Sequence, residues 1–344
     1  MSIMLDEIRE QPQVLRKTFI QGWRDVQPFR RFASRSDFRI ILIVARGTSD
    51  NAAMFGRYLF EATTGIPVSL IAPSIHTLYK SSLRLSNALV IGISQSGEGT
   101  DVNLVLESCK AKGAFTVGIT NEPDSKMARL VDEVFLVGAG KERSVAATKT
   151  YTGQLLLLYL VAWALGAALP ADQTRRIPDL AETALDLEKN IAALVERYRF
   201  MNQCAVVARG LNYANAYELA LKLMETSYVV AERFSSADFL HGPIAMVDRS
   251  FPLILFMPPG PTYKGLCEML RTLQSLNADT LVISSVKVLR RSCRRLILVP
   301  GSIKELYTPI PYIIPGQLFA ALLARAKGLN PDRPRALSKI TRTV

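Results

Sequence analysis

Histidine is almost missing from this chain of 344 residues, leaving His76 and His241 as the only imidazoles for proton transfer near neutral pH. Cysteine is scarce too. Cys109, Cys204, Cys267 and Cys293 lie far apart, with no CxxC pair and no histidine beside them, which excludes a zinc knuckle or a disulfide framework and fits a reducing cytoplasm. The first nineteen residues carry charges from Asp6 onward and have no apolar core of the signal-peptide kind. Long hydrophobic runs are also lacking: the longest, Leu155 to Leu169, contains Gly166 and is closed by Pro170, short of the roughly 20 residues that a bilayer crossing needs. It reads as a buried helix, and no membrane partner is expected. Acid is in deficit. Lys and Arg total 42 against 30 Asp and Glu, a net charge of +12, which favours acidic partners such as phosphate esters or nucleic acid, or else marks a solvated basic surface.

What is present is core material, since 49% of residues are hydrophobic and 21% charged, and a chain of this length divides naturally into two domains. An internal repeat says how. Val44-Ala-Arg-Gly47 recurs 163 positions later as Val207-Ala-Arg-Gly210, and Val90 to Ile93, leading to Gly97, aligns with Leu253 to Phe256, leading to Gly260. After a drift of one residue, Ala114 to Ile119 falls on Ala278 to Ile283, and Gly153-Gln-Leu155 returns as Gly316-Gln-Leu318. Short Ile/Val/Leu runs alternate with helical patterns in each copy, the mark of an α/β fold with a parallel sheet covered on both faces. The runs are Ile40–Val44, Pro67–Ile71, Leu89–Ile93, Thr116–Ile119 and Val134–Val137, then Ala205–Ala208, Leu253–Phe256, Thr280–Ile283 and Leu296–Val299. The expected division is a helical arm (1–34), a first α/β domain (35–170), a linking helix (171–197), a second α/β domain (198–328) and a tail (329–344).

In an open parallel sheet, ligands sit beyond the carboxyl ends of the strands. Two such turns in the first copy are rich in small hydroxyls: Gly47-Thr-Ser-Asp50, and Ser94-Gln-Ser-Gly-Glu-Gly-Thr-Asp101. Both precede helices, whose free N–H groups and positive end would converge on an anion, with phosphate the obvious guest. There is neither a GxxxxGK pattern nor a dinucleotide fingerprint, so a small phosphorylated metabolite fits better than a nucleotide. Helix capping is the bland alternative, but the second copy reads Met257-Pro-Pro-Gly260 at this place, keeping the turn and dropping every hydroxyl.

The unusual charges lie in the second copy. Along an expected helix from Ala214 to Ala231, Glu218, Lys222 and Glu225 fall on one face. They form either a solvated ion-pair stripe or, among so many Ala, Leu, Met and Tyr residues, a partly buried group able to act as a general base. His241 sits in a Gly-Pro turn, better placed for chemistry than His76, which is taken as structural. By itself, the stretch from Asn330 to Val344 would be a frayed basic tail.

At these residues the sequence resembles the sugar isomerase (SIS) domain family, and within it the isomerase halves of glucosamine-6-phosphate synthases. The resemblance rests on Glu7-Ile-Arg-Glu-Gln-Pro12, Gly47-Thr-Ser49, Ser94-Gln-Ser-Gly-Glu98, Val145-Ala-Ala-Thr-Lys149, Ala220-Leu-Lys-Leu-Met-Glu225, His241-Gly-Pro-Ile-Ala245 and Asp332-Arg-Pro-Arg-Ala-Leu-Ser-Lys339. It implies two tandem SIS domains, each a flavodoxin-like three-layer sandwich, and a fructose-6-phosphate or glucosamine-6-phosphate pocket. Ser94, Gln95, Ser96 and Thr100 would hold the phosphate, Ser49 and the Val145 backbone would touch the sugar, and Glu225, supported by Lys222 and Glu218, would move a proton between C1 and C2. His241 of a neighbouring copy in a homodimer would assist ring opening, and Lys339 would enter from the tail as the family's imine-forming lysine. No metal or organic cofactor is demanded.

Two departures stand out. The family's threonine after Ser-Gln-Ser-Gly-Glu is Gly99 here, with Thr100 one step later, and Ala147 replaces a serine. The form Ser144-Val-Ala-Ala-Thr-Lys149 is similar to stand-alone SIS deaminases and ketose-phosphate isomerases. The sequence begins at the isomerase half, so glutamine is not expected to be its nitrogen source. The expected reaction is glucosamine 6-phosphate plus water to fructose 6-phosphate plus ammonia. The alternatives are another SIS isomerase or deglycase acting on ketosamine 6-phosphates, and a catalytically silent phosphosugar sensor. Arg290, Arg291, Arg294 and Arg295 lack interleaved aromatics, which argues against a nucleic-acid partner.

Overall fold

The structure, a computed structural model, describes residues 2–81 and 83–339, so the last five positions of the expected tail lie outside the described residues. Helices α1 (Ile3–Arg9) and α2 (Gln11–Ala33) come first. The first sheet is built from β1 (Ile40–Val44), α3 (Thr48–Thr64), β2 (Val68–Leu70), α4 (Ser74–Thr77), β3 (Ala88–Ser94), α5 (Thr100–Lys110), β4 (Phe115–Thr120), α6 (Lys126–Leu130), β5 (Glu133–Leu136) and α7 (Lys149–Ala164). Its strands are parallel in the order β2-β1-β3-β4-β5, and the central β3 places Val90 beside Leu42 on one side and Thr116 on the other. Under one face Leu42, Val44 and Val90 pack with Val102, Val105 and Leu106 of α5 and with Met127 of α6.

Over the other face lies α7, the apolar run read from the sequence, packed against α2 and α3. Every residue of this helix except Trp163 is buried, so it has no polar face to present to water. Each of its fully buried leucines, such as Leu155, Leu156 and Leu158, contributes on the order of 1.5–3 kcal/mol.

The expected single linking helix is instead three short ones, α8 (Ala171–Arg175), α9 (Ile177–Leu185) and α10 (Glu188–Val195). Between the last two the backbone tightens, and the Leu187 N–H reaches the Ala184 carbonyl rather than continuing the regular ladder. The second sheet follows with β6 (Gln203–Ala208), α11 (Tyr213–Ser227), β7 (Val230–Ser235), α12 (Ser236–Leu240), β8 (Pro252–Phe256), α13 (Tyr263–Ser275), β9 (Asp279–Ser284), β10 (Leu296–Leu298) and α14 (Pro309–Ala326). Its order, β10-β9-β8-β6-β7, reproduces that of the first sheet, with β7 as the counterpart of β2.

The sequence reading missed β7 by running the preceding helix to Ala231. In the structure α11 stops at Ser227 because Tyr228 turns into the left-handed region, φ 53°, and the Val229 N–H folds back to the Leu223 carbonyl. An edge strand pairs on one side only, so Val230 and Glu232 can be exposed and the apolar run that betrays a central strand is absent.

The two compact units do not follow chain order. The first gathers Glu10–Glu142 and Lys149–Arg176 with Ser338 and Lys339, while the second gathers the chain up to Arg9, Arg143–Thr148 and Ile177–Leu337. Among the described residues, no helix is long and apolar enough to cross a membrane.

The loop before β5 is fastened by Asp132. Its carboxylate accepts the Thr116 N–H and hydroxyl, both at 2.8 Å, and pairs with Lys110 at 2.8 Å. Burial opposes ionisation there, but the bonds from Lys110 and Thr116 outweigh it and hold the carboxyl below its usual range. A depressed carboxylate stabilises the fold above its unfolded pKa of about 3.9 and stops doing so as the pH falls through the folded value. Asp132→Asn is therefore expected to lose about 1–2 kcal/mol in urea denaturation at neutral pH, with the gap to the parent closing once the pH drops below about 4.

Candidate functional site

In the first unit, the chain between the end of β3 at Ser94 and the start of α5 at Thr100 forms a tightly held turn. Ser94 Oγ accepts the Gly97 N–H at 3.1 Å, and Ser96 Oγ accepts the Glu98 N–H at 3.3 Å. The Gly97 carbonyl takes bonds from the Met127 N–H and from Asn103 Nδ2, both at 3.0 Å. The Gln95 carbonyl takes the Asn121 N–H at 3.1 Å and the Thr120 hydroxyl at 3.3 Å. Gly97 has a φ of +64°, and a Cβ on it would lie 2.2 Å from Ser125 Oγ, so both the backbone and the space demand glycine. Ser94, Gln95 and Ser96 are half-buried and Thr100 is exposed, at a helix end where the Val102 N–H is taken by Asp101 Oδ1 at 2.9 Å while the backbone supplies no intrahelical acceptor for the N–H groups of the first turn. The turn can therefore receive an anion.

Ser49, in the first turn of α3, is buried and accepts a bond from Gln154 Nε2 at 3.0 Å. Nearby Arg46 is paired with the buried carboxylate of Asp101 at the start of α5. His76 lies in α4, with Nδ1 3.1 Å from Ser108 Oγ, and burial lowers its pKa, in keeping with a structural role.

Lys339 also belongs to this unit. Its ammonium lies 3.0 Å from Oε2 of Glu142, a side chain with no solvent exposure, whose two oxygens also accept the Thr150 hydroxyl at 2.7 Å and its N–H at 3.2 Å. The tail lysine is thus fastened rather than loose. Sequence reasoning missed Glu142, because an acid inside Gly140-Lys-Glu-Arg143 looks like one more solvated loop charge. Lys149 is similarly held, 2.6 Å from Glu10 and 3.1 Å from the Lys141 carbonyl.

In the second unit α11 carries its charges inward. Glu218 and Lys222 are fully buried, and Lys222 Nζ lies 2.6 Å from Glu225 Oε2 and 3.5 Å from Glu218 Oε1. Glu225 keeps 20% of its side chain open to solvent, so the stripe is no solvated face but a buried lysine that presents one reachable carboxylate. His241 is not part of this cluster. It is exposed at the end of α12 and lines a groove with Arg209, Thr262 and Glu268.

Val145 is half-buried in a segment fixed by a residue that the sequence reading did not single out as functional. The buried carboxylate of Glu7 on α1 accepts the N–H groups of Arg143 and Ser144. In turn α1 is capped by Asp332, whose carboxylate accepts the Ile3 and Met4 N–H groups at 2.9 and 2.8 Å and the Ser2 hydroxyl at 2.9 Å. The tail is also anchored at Arg335, whose N–H bonds Tyr228 Oη at 3.0 Å and whose guanidinium stacks 3.8 Å over that ring, at the C-terminal end of α11.

A family model described as the SIS domain matches residues 36–164 and 201–319, covering both sheets and both hydroxyl-bearing turns. The chain belongs to the SIS domain family. It is 32% identical over 98% of its length to the isomerizing glutamine–fructose-6-phosphate aminotransferase of Methanothermobacter thermautotrophicus, and spans 56% of that protein. To the enzyme of the same name from Gloeobacter violaceus it is 35% identical, over 98% of this chain and 58% of that one, so it spans a little over half the length of these curated relatives. Among solved structures, the C-terminal domain of glucosamine-fructose-6-phosphate aminotransferase from Francisella tularensis superposes with a TM-score of 0.88, at 27% identity, over 97% of this chain and 98% of that one.

The geometry of the hydroxyl turn gives a direct expectation. Gly97→Ala should lower the unfolding free energy by at least about 1–2 kcal/mol, because the left-handed backbone disfavours a Cβ and the new methyl group must also displace Ser125. Urea denaturation of the variant beside the parent, followed by circular dichroism, reads this out.

Proposed function

We propose that this chain is a phosphosugar isomerase of the SIS family that acts across C1 and C2 of a 6-phosphorylated hexosamine, converting glucosamine 6-phosphate and water to fructose 6-phosphate and ammonia. The observation that carries the reading is Glu225, one edge open to solvent and the other held by a lysine that water cannot reach. Moving a proton between adjacent carbons needs one base poised over both, fixed in place so that orientation is not lost at each turnover. Lys222 supplies the fixing, and Glu218 supports Lys222 from the turn before.

In the proposed reaction Glu225 removes the proton from C2 of the open-chain aldehyde, and the electron pair moves toward C1 to give an enolamine. Reprotonation at C1 yields the imine of fructose 6-phosphate. Water adds to C2 of that imine and ammonia leaves, so no oxidant or reductant is required. Ser94, Gln95, Ser96 and Thr100 take the phosphate, while Ser49 and the Val145 backbone take the sugar hydroxyls. His241, exposed at the end of α12, completes the neighbouring site in a homodimer and assists ring opening. In the reverse direction Lys339, its proton left with Glu142, adds to C2 of fructose 6-phosphate with loss of water, and ammonia displaces the lysine from that imine to regenerate the free amine. Support comes from the identity of 32–35% with two proteins named isomerizing glutamine–fructose-6-phosphate aminotransferase.

The test is a substrate panel run with Glu225→Gln beside the parent protein. The parent should release ammonia and fructose 6-phosphate in equal amounts, and the variant should lose at least about a thousandfold in kcat while its affinity for the sugar phosphate changes less than about threefold. Turnover of ketosamine 6-phosphates, with none of glucosamine 6-phosphate, would replace the substrate. An active Glu225→Gln protein would remove Glu225 from the reaction.

A further inference from the structure

The repeat gives each part of the first unit's hydroxyl turn a counterpart in the second unit. Gly47 and Gly97, both at positive φ, correspond to Gly210 and Gly260, which are also at positive φ. The helices that follow, α5 and α13, begin at the corresponding positions Thr100 and Tyr263. Even the bonds that brace the turn recur. Thr120 accepts the Glu122 N–H and donates to the Gln95 carbonyl, while Ser284 accepts the Val286 N–H at 3.1 Å and donates to the Met257 carbonyl at 2.5 Å. The second unit thus keeps the crevice and the helix end but has Met257-Pro-Pro-Gly260 where the hydroxyls were.

This second crevice is filled by a side chain of the chain itself. Glu305 projects from a short 3-10 turn that follows β10 and reaches Thr262, the residue just before α13. Its Oε1 accepts the Thr262 hydroxyl at 2.8 Å, and its Oε2 faces the Thr262 N–H at 3.4 Å. A Cβ placed on Gly210 would lie 3.3 Å from Oε1, and one on Gly260 only 2.5 Å from Oε2. The carboxylate therefore rests against both glycines whose counterparts flank the first unit's turn.

We infer that Glu305 is a built-in anion seated in the second unit's equivalent of the phosphate crevice, so that the chain takes up one phosphosugar and not two. The inference rests on the phosphate reading of the first unit given above. A helix end with free N–H groups favours negative charge, and a tethered carboxylate occupies it without the loss of translational freedom that capturing a free ion entails. The same duplication thereby yields one ligand-accepting copy and one sealed copy. The seal is a single residue, and removing it leaves the helix end and the two glycines in place.

Equilibrium dialysis of the full chain against inorganic phosphate tests this, comparing the parent with Glu305→Ala. The variant should hold one more phosphate per chain than the parent at millimolar phosphate. Its unfolding temperature should also climb with phosphate more steeply than the parent's, and not with chloride of equal ionic strength. If Glu305→Ala unfolds in phosphate-free buffer, recovery of the fold on adding phosphate counts as the same gain. No phosphate-dependent gain of either kind overturns the inference. Because the readout is the increment over the parent, failure of the first-unit reading shows separately, as a parent protein that binds no phosphate at all.

Discussion

A lysine with no contact to water cannot keep its charge unless carboxylates stand within bonding distance, and Lys222 imposes that condition on the second unit. It is met from one helix: Glu218 lies one turn before and Glu225 one turn after, at 3.5 and 2.6 Å. Ion pairs spaced like this on an exposed helix contribute a few tenths of a kcal/mol and fix little. Buried, the same spacing becomes a constraint, because a charge taken out of water must be met by opposite charge and hydrogen bonds in a fixed geometry. Glu225 is consequently oriented by the fold. Its partial exposure gives the molecule a carboxylate that is immobile on one side and accessible on the other.

Segments that look loose in sequence are held by the same means. Asp332 caps α1, Glu7 on α1 grips the backbone at Arg143 and Ser144, Arg335 lies on Tyr228, and Glu142 receives Lys339. Three of these contacts use a carboxylate to satisfy backbone donors or an opposite charge, and the fourth lays a guanidinium on a ring, which makes each directional as well as attractive. The stretch from Asp332 to Lys339 is in this way part of the packed structure, although its composition predicts fraying.

The two copies show how little has to change for one fold to serve two ends. Strand order, positive-φ glycines and bracing hydroxyls at Thr120 and Ser284 are shared. What differs is confined to the loops at the strand ends and to the helices beside them. The first copy places hydroxyls at its turn and the second places a carboxylate there, while the second invests its charges in α11.

Much of this was legible from sequence, because burial writes itself into residue order. Strands covered on both faces must be continuously apolar, so the repeat, the parallel sheets and the buried α7 could be read directly, as could the glycine-bearing turn from Ser94 to Thr100. Residue order alone therefore specifies the two α/β copies and which of them carries the hydroxyl turn. That β7 is a strand, that Glu218 and Lys222 are inside, and that Glu142, Glu7 and Glu305 are engaged instead of solvated emerges from the folded arrangement. The reason is that an edge strand needs no apolar signature and a charged residue looks the same in sequence whether its partner is water or a group more than a hundred residues away, as Lys339 is from Glu142.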